Sequence, residues 1–208
     1  MDFRYIAIEG PPGVGKTPLA ERLAGRLDGS TVLEDSQNPF LEPFRRGRPG
    51  AAFQAQMFFL LNRYRELSEL AQRELFEQLK ISDFILARDK IYAYLHLDDT
   101  ELSLYEKMYR VLGGEVPAPD LVVYLQAPAD VLLKRLRKRA HGTPFEESDL
   151  KELVRAYDYF FFHYSATPLL VVNSTNVDFA DPDTPLDDLV QEIHVIAGGT
   201  RYYIPGVS

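Results

Sequence analysis

The sequence predicts an α/β protein built on a five-stranded parallel sheet flanked by helices. Three observations predict it. Short β-branched and apolar runs alternate with segments whose apolar residues keep helical spacing. Leu121 to Leu125 is a nearly continuous apolar run, as expected of a strand covered on both faces. A glycine-rich loop, Gly10-Pro11-Pro12-Gly13-Val14-Gly15-Lys16-Thr17, joins the first strand-like run to the first helical segment.

The first strand spans Phe3 to Glu9, β-branched and aromatic, and stops at Gly10; Leu19, Ala20, Leu23, Ala24 and Leu27 then follow at helical spacing. Pro18 is compatible with that helix because the first turn has no intrahelical N–H partner to lose. A second strand covers Thr31 to Glu34. It leads into a loop rich in Pro, Gly and Arg from Asn38 to Gly50, and then into a long apolar-periodic helix from about Ala52 to Gln78. Lys80 to Asp83 is the third strand. An amphipathic helix from about Asp99 to Leu112 carries Leu102, Tyr105, Met108, Tyr109 and Leu112 and is stopped by Gly113-Gly114. Pro117-Ala118-Pro119-Asp120 introduces the fourth strand, Leu121 to Leu125. Helices over Ala129 to Ala140 and Glu146 to Ser165, a fifth strand at Leu169 to Val172 and a last helix over Leu186 to Ala197 complete the chain. With no internal repeat, linker or low-complexity tract, one domain over residues 1–208 is expected.

Composition narrows the chemistry. The 208 residues include 23 Lys or Arg, 31 Asp or Glu and no Cys, and 46% are hydrophobic, so no disulfide or structural metal is needed to hold a core of this size. A thiol nucleophile, a thiolate zinc site and an iron–sulfur cluster are excluded. The four His, at positions 96, 141, 163 and 194, have no metal-ligand spacing. A formal charge of -8 argues against a surface devoted to nucleic acid, which demands Lys and Arg in excess. No apolar run approaches the ~20 residues that cross a bilayer, and Met1-Asp2-Phe3-Arg4-Tyr5-Ile6 does not read as a signal peptide, so no membrane association and a cytoplasmic location are expected.

The loop from Gly10 to Thr17 satisfies G-x-x-x-x-G-K-[ST] in full, between a strand and a helix. Its glycines let the backbone wrap phosphates, Lys16 adds a mobile positive charge, and the Thr17 hydroxyl is suited to Mg²⁺. Gly10, Gly13, Val14, Gly15, Lys16 and Thr17 are therefore the expected nucleotide-binding residues. A kinase, a switch and a motor share this loop, so other residues must separate them.

Glu34 at the end of the second strand, Asn38-Pro39-Phe40-Leu41, Gln56 in the long helix, Asp120-Leu121-Val122-Val123-Tyr124-Leu125 before an Arg-rich helix, and Val177-Asp178-Phe179 after the last strand together resemble the deoxynucleoside kinase family. The resemblance covers most of the chain in order and implies a P-loop kinase fold with a helical lid at about residues 135–147. It also implies ATP as phosphate donor, Mg²⁺, and a deoxynucleoside acceptor with purines favoured. By resemblance Glu34 is the base that takes the proton of the 5′-hydroxyl, with Asp35 as the competing acid and a solvated strand-end acid as the alternative. Gln56, among Phe53, Met57, Phe58, Phe59 and Leu60, matches the residue that reads the nucleobase edge, a helix-surface Gln being the alternative. Asp83 and Asp89 match two acids of the family pattern, but Phe84 stands where the family has Arg; Arg88, or an Arg from positions 45 to 48, can supply that charge. Asp83 is a Mg²⁺ ligand or a strand cap.

Arg135 and Arg139, on one helix face of the run Lys134 to His141, match the first two arginines of the family's lid, with His141 in place of the third. The alternative is a solvated face. Asp178 and Phe179 match the donor-binding segment. The aromatic run Tyr157 to Tyr164 suits core and a subunit interface, and a dimer is expected through the helix after Ala52 and the one near Asp99. A thymidylate-kinase-like enzyme, which would use Arg45, Arg46 and Arg48 for its acceptor's phosphate, and a nucleotide-binding protein without kinase activity are the competing readings.

Overall fold

A computed structural model of the protein describes residues 3–35, 37–72, 78–139 and 145–206. In chain order its elements are β1 (Tyr5–Glu9), α1 (Lys16–Arg26), β2 (Ser30–Val32), α2 (Leu41–Arg45), α3 (Ala51–Gln72) and β3 (Lys80–Ser82). A 3₁₀ turn (Leu86–Arg88), α4 (Asp89–His96), α5 (Asp99–Gly113), β4 (Leu121–Gln126), α6 (Ala129–Arg139), α7 (Glu147–Phe162), β5 (Leu169–Asn173), α8 (Asp187–Val195) and β6 (Thr200–Tyr203) follow. They divide into two compact units, one made of Met1–Leu33, Gln78–Asp83 and Pro119–Ser208, the other of Glu34–Glu77 and Phe84–Ala118.

The first unit holds a parallel sheet with strand order β2-β3-β1-β4-β5-β6. Ile6 of β1 is in register with Ile81 on one side and Leu121 on the other, so the chain's progress through the sheet reverses at β1, and ligands bind beyond the carboxyl ends of strands at such a point. All of β1 and the first five residues of β4 are buried, which is why Tyr5 to Ile8 and Leu121 to Leu125 read as unbroken apolar runs. Helix α1 turns Leu19, Ala20, Leu23 and Ala24 into the core. Burial of each leucine stabilises by roughly 1.5–3 kcal/mol. Ile8, Leu132, Leu150, Leu170, Phe179 and Ile193 belong to the same core.

The sheet has six strands among the described residues, not the expected five. The extra one, β6, is a four-residue edge strand whose first three residues are exposed, so it carries neither an apolar run nor an alternation. It forms because β5 offers an open edge of main-chain groups, with Leu169 opposite Thr200.

The second unit contains α2, α3, the 3₁₀ turn, α4 and α5. Helix α5 begins where expected because Asp98 accepts from the N–H groups of Thr100 and Glu101, both at 2.9 Å, while the Glu101 carboxylate accepts from the Asp98 N–H. Two short helices lie outside the sequence expectation. Helix α2 contains Pro43, buries none of its five residues and sits inside the segment expected to be loop. Helix α4 has no side-chain cap, the strongest local start signal. Strand β2 ends at Val32, which leaves Glu34 past the strand rather than on it. No helix among the described residues is long and apolar enough to cross a membrane.

Candidate active site

In the first unit, β1 delivers the chain into the glycine loop. The buried Glu9 carboxylate accepts the Gly10 N–H at 3.0 Å, fixing the loop's first peptide. Gly10 has φ 149° and Gly13 φ 83°; a Cβ on Gly10 would collide with the Leu125 carbonyl oxygen, and one on Gly13 would lie 2.7 Å from Leu136 Cγ. Val14 anchors the loop in the core, and its N–H donates to the Pro11 carbonyl at 3.3 Å. Gly15, at φ 103°, immediately precedes α1. Lys16 Nζ curls back over the loop, 2.8 Å from the Gly10 carbonyl and 3.4 Å from that of Pro11. The Thr17 hydroxyl donates to the buried carboxylate of Asp83, one residue beyond β3.

Helix α6 sets Arg135 and Arg139 one turn apart. Arg135 donates to the carbonyls of Ser174 at 2.6 Å and Val177 at 3.0 Å, and its Nε lies 3.9 Å from the Asp178 carboxylate. Arg139 pairs with the same carboxylate and donates to the Gly13 carbonyl at 3.1 Å. Partial burial pushes the Asp178 carboxyl up, but Arg139, the Ala180 N–H and the charge of Arg135 outweigh it and hold the group below the ordinary carboxylate value. Burial likewise lowers the pKa of Arg135. The glycine loop, both arginines and Asp178 are thus brought together, whereas the Phe179 ring is buried in the core. His141 and lid residues 140–144 lie outside the described residues.

In the second unit, Glu34 is caged by guanidiniums. Its carboxylate, 15% exposed, pairs with Arg63 and, at 2.6 Å, with Arg88. Asp35 beside it is exposed and, among the described residues, its carboxylate accepts the local N–H of Gln37 at 2.9 Å. Arg88 therefore supplies the charge expected opposite Glu34, while the Phe84 ring is buried and Arg46 is engaged with Glu42 on α2. Arg63 also pairs with Asp89, which is 1% exposed. Burial opposes the charge on Arg63, but Asp89 and Glu34 raise its pKa on balance. Burial pushes the Asp89 carboxyl up to about 6 despite the opposing pull of Arg63 and Arg88.

Sequence reading missed Arg63. A signal was present: Gln56, Leu60, Arg63 and Leu67 recur at i, i+4, i+7 and i+11, placing an arginine in the buried stripe of α3, where a charge requires a partner. Phe53 is half-buried on the same helix. Buried polar atoms of this unit without a hydrogen-bond partner among the described residues include Gln56 Oε1, Arg63 Nε, Asp89 Oδ2 and Tyr105 Oη, and also Glu66 Oε2 and Ser68 Oγ. Buried polar atoms are normally satisfied, so each of these is an open hydrogen-bonding position. No group of three or more acidic or His side chains among the described residues forms a metal cluster. Thr17 and Asp83 remain as an adjoining hydroxyl and carboxylate, a donor pair suited to Mg²⁺ that is shared with phosphates.

The chain is 35% identical to deoxyguanosine kinase of Bacillus subtilis (strain 168) over 162 residues, 74% of this chain and 76% of that one. It is 28% identical to the deoxyadenosine/deoxycytidine kinase of the same organism, with 90% of each chain covered. In fold it is similar to the structure of deoxyadenosine kinase from M. mycoides with bound dATP, with a TM-score of 0.73, 23% identity, and coverage of 91% of this chain and 98% of the other. Residues 6–197, from the first strand through the last helix, match the family model for Deoxynucleoside kinase, and the chain is a member of that family.

Proposed function

We propose that the protein transfers the γ-phosphoryl group of ATP to the 5′-hydroxyl of a deoxynucleoside, with purine deoxynucleosides favoured. The observation that carries this is the set of unsatisfied buried polar atoms on Gln56, Arg63 and Asp89, in the unit that holds the caged Glu34. Two carboxyl or amide acceptors and a guanidinium donor suit the edge of a nucleobase. In the reaction the 5′-oxygen bonds to the γ-phosphorus, the bond from that phosphorus to the β,γ-bridging oxygen breaks, and the 5′-hydroxyl proton passes to a Glu34 oxygen. Lys16, Arg135 and Arg139 offset the charge on the transferring group. Thr17 and Asp83 would hold Mg²⁺, which neutralises phosphate charge when bound. Asp178 with the backbone at Phe179 would meet the donor, and Phe53 the acceptor.

The same proposal includes a single functional domain with its lid at residues 135–147, a cytoplasmic location, and a homodimer through α3 and α5, where Leu61, Leu104 and Val111 are exposed. The purine preference is supported by the named activity of the Bacillus subtilis relative at 35% identity. Deoxyadenosine, deoxyguanosine, deoxycytidine, thymidine and dTMP, each supplied with ATP and scored for ADP release, test the proposal. Deoxyadenosine or deoxyguanosine should have the highest kcat/KM; a tenfold preference for a pyrimidine overturns the specificity, turnover confined to dTMP overturns the acceptor, and no turnover overturns the reaction.

Asp89 makes the acceptor site pH-sensitive. Its pKa is raised on folding, so its contribution to stability is fully present below the ordinary carboxylate pKa and is lost as pH rises through about 6. Recognition runs the other way, because below that pH the proton removes one anionic partner of Arg63. Acceptor KM should rise roughly tenfold between pH 7 and pH 5, following the ionised fraction of such a group. In Asp89→Asn this dependence should be absent; an unchanged pH profile in that variant would remove Asp89 from the acceptor site.

A further inference from the structure

Arg22 lies on α1, the helix whose first turn carries Lys16 and Thr17, yet neither the glycine-loop motif nor the site described above uses it. Its guanidinium serves one loop of the same unit. It donates to the backbone carbonyls of Phe179 at 3.2 Å, Asp181 at 3.0 Å and Pro182 at 3.1 Å, and to that of Thr184. The side chain thus spends its donors on main chain rather than on a carboxylate.

That loop is also closed on itself and seated on the phosphate-binding residues. The Asp178 carboxylate accepts the Ala180 N–H at 3.1 Å, and the Asp178 carbonyl accepts the Asp181 N–H at 2.9 Å and the Thr184 hydroxyl at 2.8 Å. A Cβ placed on Gly15 would lie 3.4 Å from the Ala180 nitrogen and 3.6 Å from Phe179 Cβ, so the loop rests directly on the end of the glycine loop. Arg139 links Asp178 to the Gly13 carbonyl. Residues 178–184 are therefore held at Gly15, at Arg139 and, farther along, at Arg22.

We propose that Arg22 is a positioning residue for the phosphate donor: it fixes the 178–184 loop to the phosphate-binding helix, so that donor phosphates and donor base meet surfaces in constant register. The inference rests on the phosphoryl-transfer reading above. Lys16 and Arg22 are six residues apart on one helix, roughly 9 Å along a stiff rod, so the loop and the phosphate site are tied to the same element. A planar guanidinium presents five donors in a fixed fork and can span the four carbonyls, whereas a Lys ammonium offers three donors from a single atom.

Arg22→Met and Arg22→Lys test this in the full chain, with ATP and deoxynucleoside varied separately and ATP binding measured in parallel by titration calorimetry. In Arg22→Met the KM and Kd for ATP should rise about tenfold or more, with acceptor KM within about twofold, and the preference among ATP, GTP and UTP should narrow. Arg22→Lys, which keeps the stem and the charge, should fall between Met and wild type and remains informative if Met does not fold. A purely structural role would move both KM values together or lower only the melting temperature; either result, or an unchanged ATP affinity, overturns the proposal. Absence of turnover in wild type would instead overturn the phosphoryl-transfer reading, and the calorimetric comparison would still decide the role of Arg22.

Discussion

Lys16→Ala should lower kcat by about 10³-fold or more, the scale of losing a charge that follows the phosphoryl group into a water-poor transition state. The physical basis is the placement of its Nζ, which lies over the glycine loop at 2.8 Å from the Gly10 carbonyl and can track a phosphate oxygen without leaving that loop. The fold should tolerate the change. Lys16 is half-buried and donates to two loop carbonyls, while the core beneath α1 is built from Leu19, Ala20, Leu23 and Ala24. Steady-state turnover paired with a thermal melt checks both halves, and a variant that retains near wild-type kcat would exclude phosphoryl transfer at this loop.

Glu34→Gln should reduce kcat by about 10²-fold or more with little change in acceptor KM, because the amide keeps the shape but cannot take a proton. Its setting adds a second consequence. Glu34 balances Arg63 and Arg88, so the amide leaves these two guanidiniums with less compensating charge. For a group 15% exposed the expected loss of stability is about 1–3 kcal/mol, below the cost at a fully buried pair. The variant should therefore melt earlier while remaining folded at assay temperature. Asp35→Asn should change neither quantity much, since Asp35 is exposed and its carboxylate, among the described residues, accepts the N–H two residues on. If Asp35→Asn is the more damaging of the two, Glu34 is not the base.

The Gly10–Thr17 loop and its two flanking elements were legible from residues alone because everything that forms them is local: positive-φ glycines, an apolar strand before and an apolar helical stripe after. The same holds for β4 and β5, whose burial on both faces imposes an unbroken apolar run, and for α5, whose capping box is written within four consecutive residues. Glu34, Gln56, Asp89, Arg135 and Arg139 were reached through family resemblance, and no local pattern could assign their partners. The tertiary structure decided those. Arg63 meets Glu34 and Asp89 across 29 and 26 positions of sequence, and Arg22 meets its carbonyls across 157 to 162. It also decided β6, an exposed edge strand with no pattern of its own, and the short helices α2 and α4. Periodicity reports which face of a segment leaves water; a charged side chain chooses its partner by where the folded backbone puts an opposite charge or a free carbonyl, and that depends on chain far away in sequence.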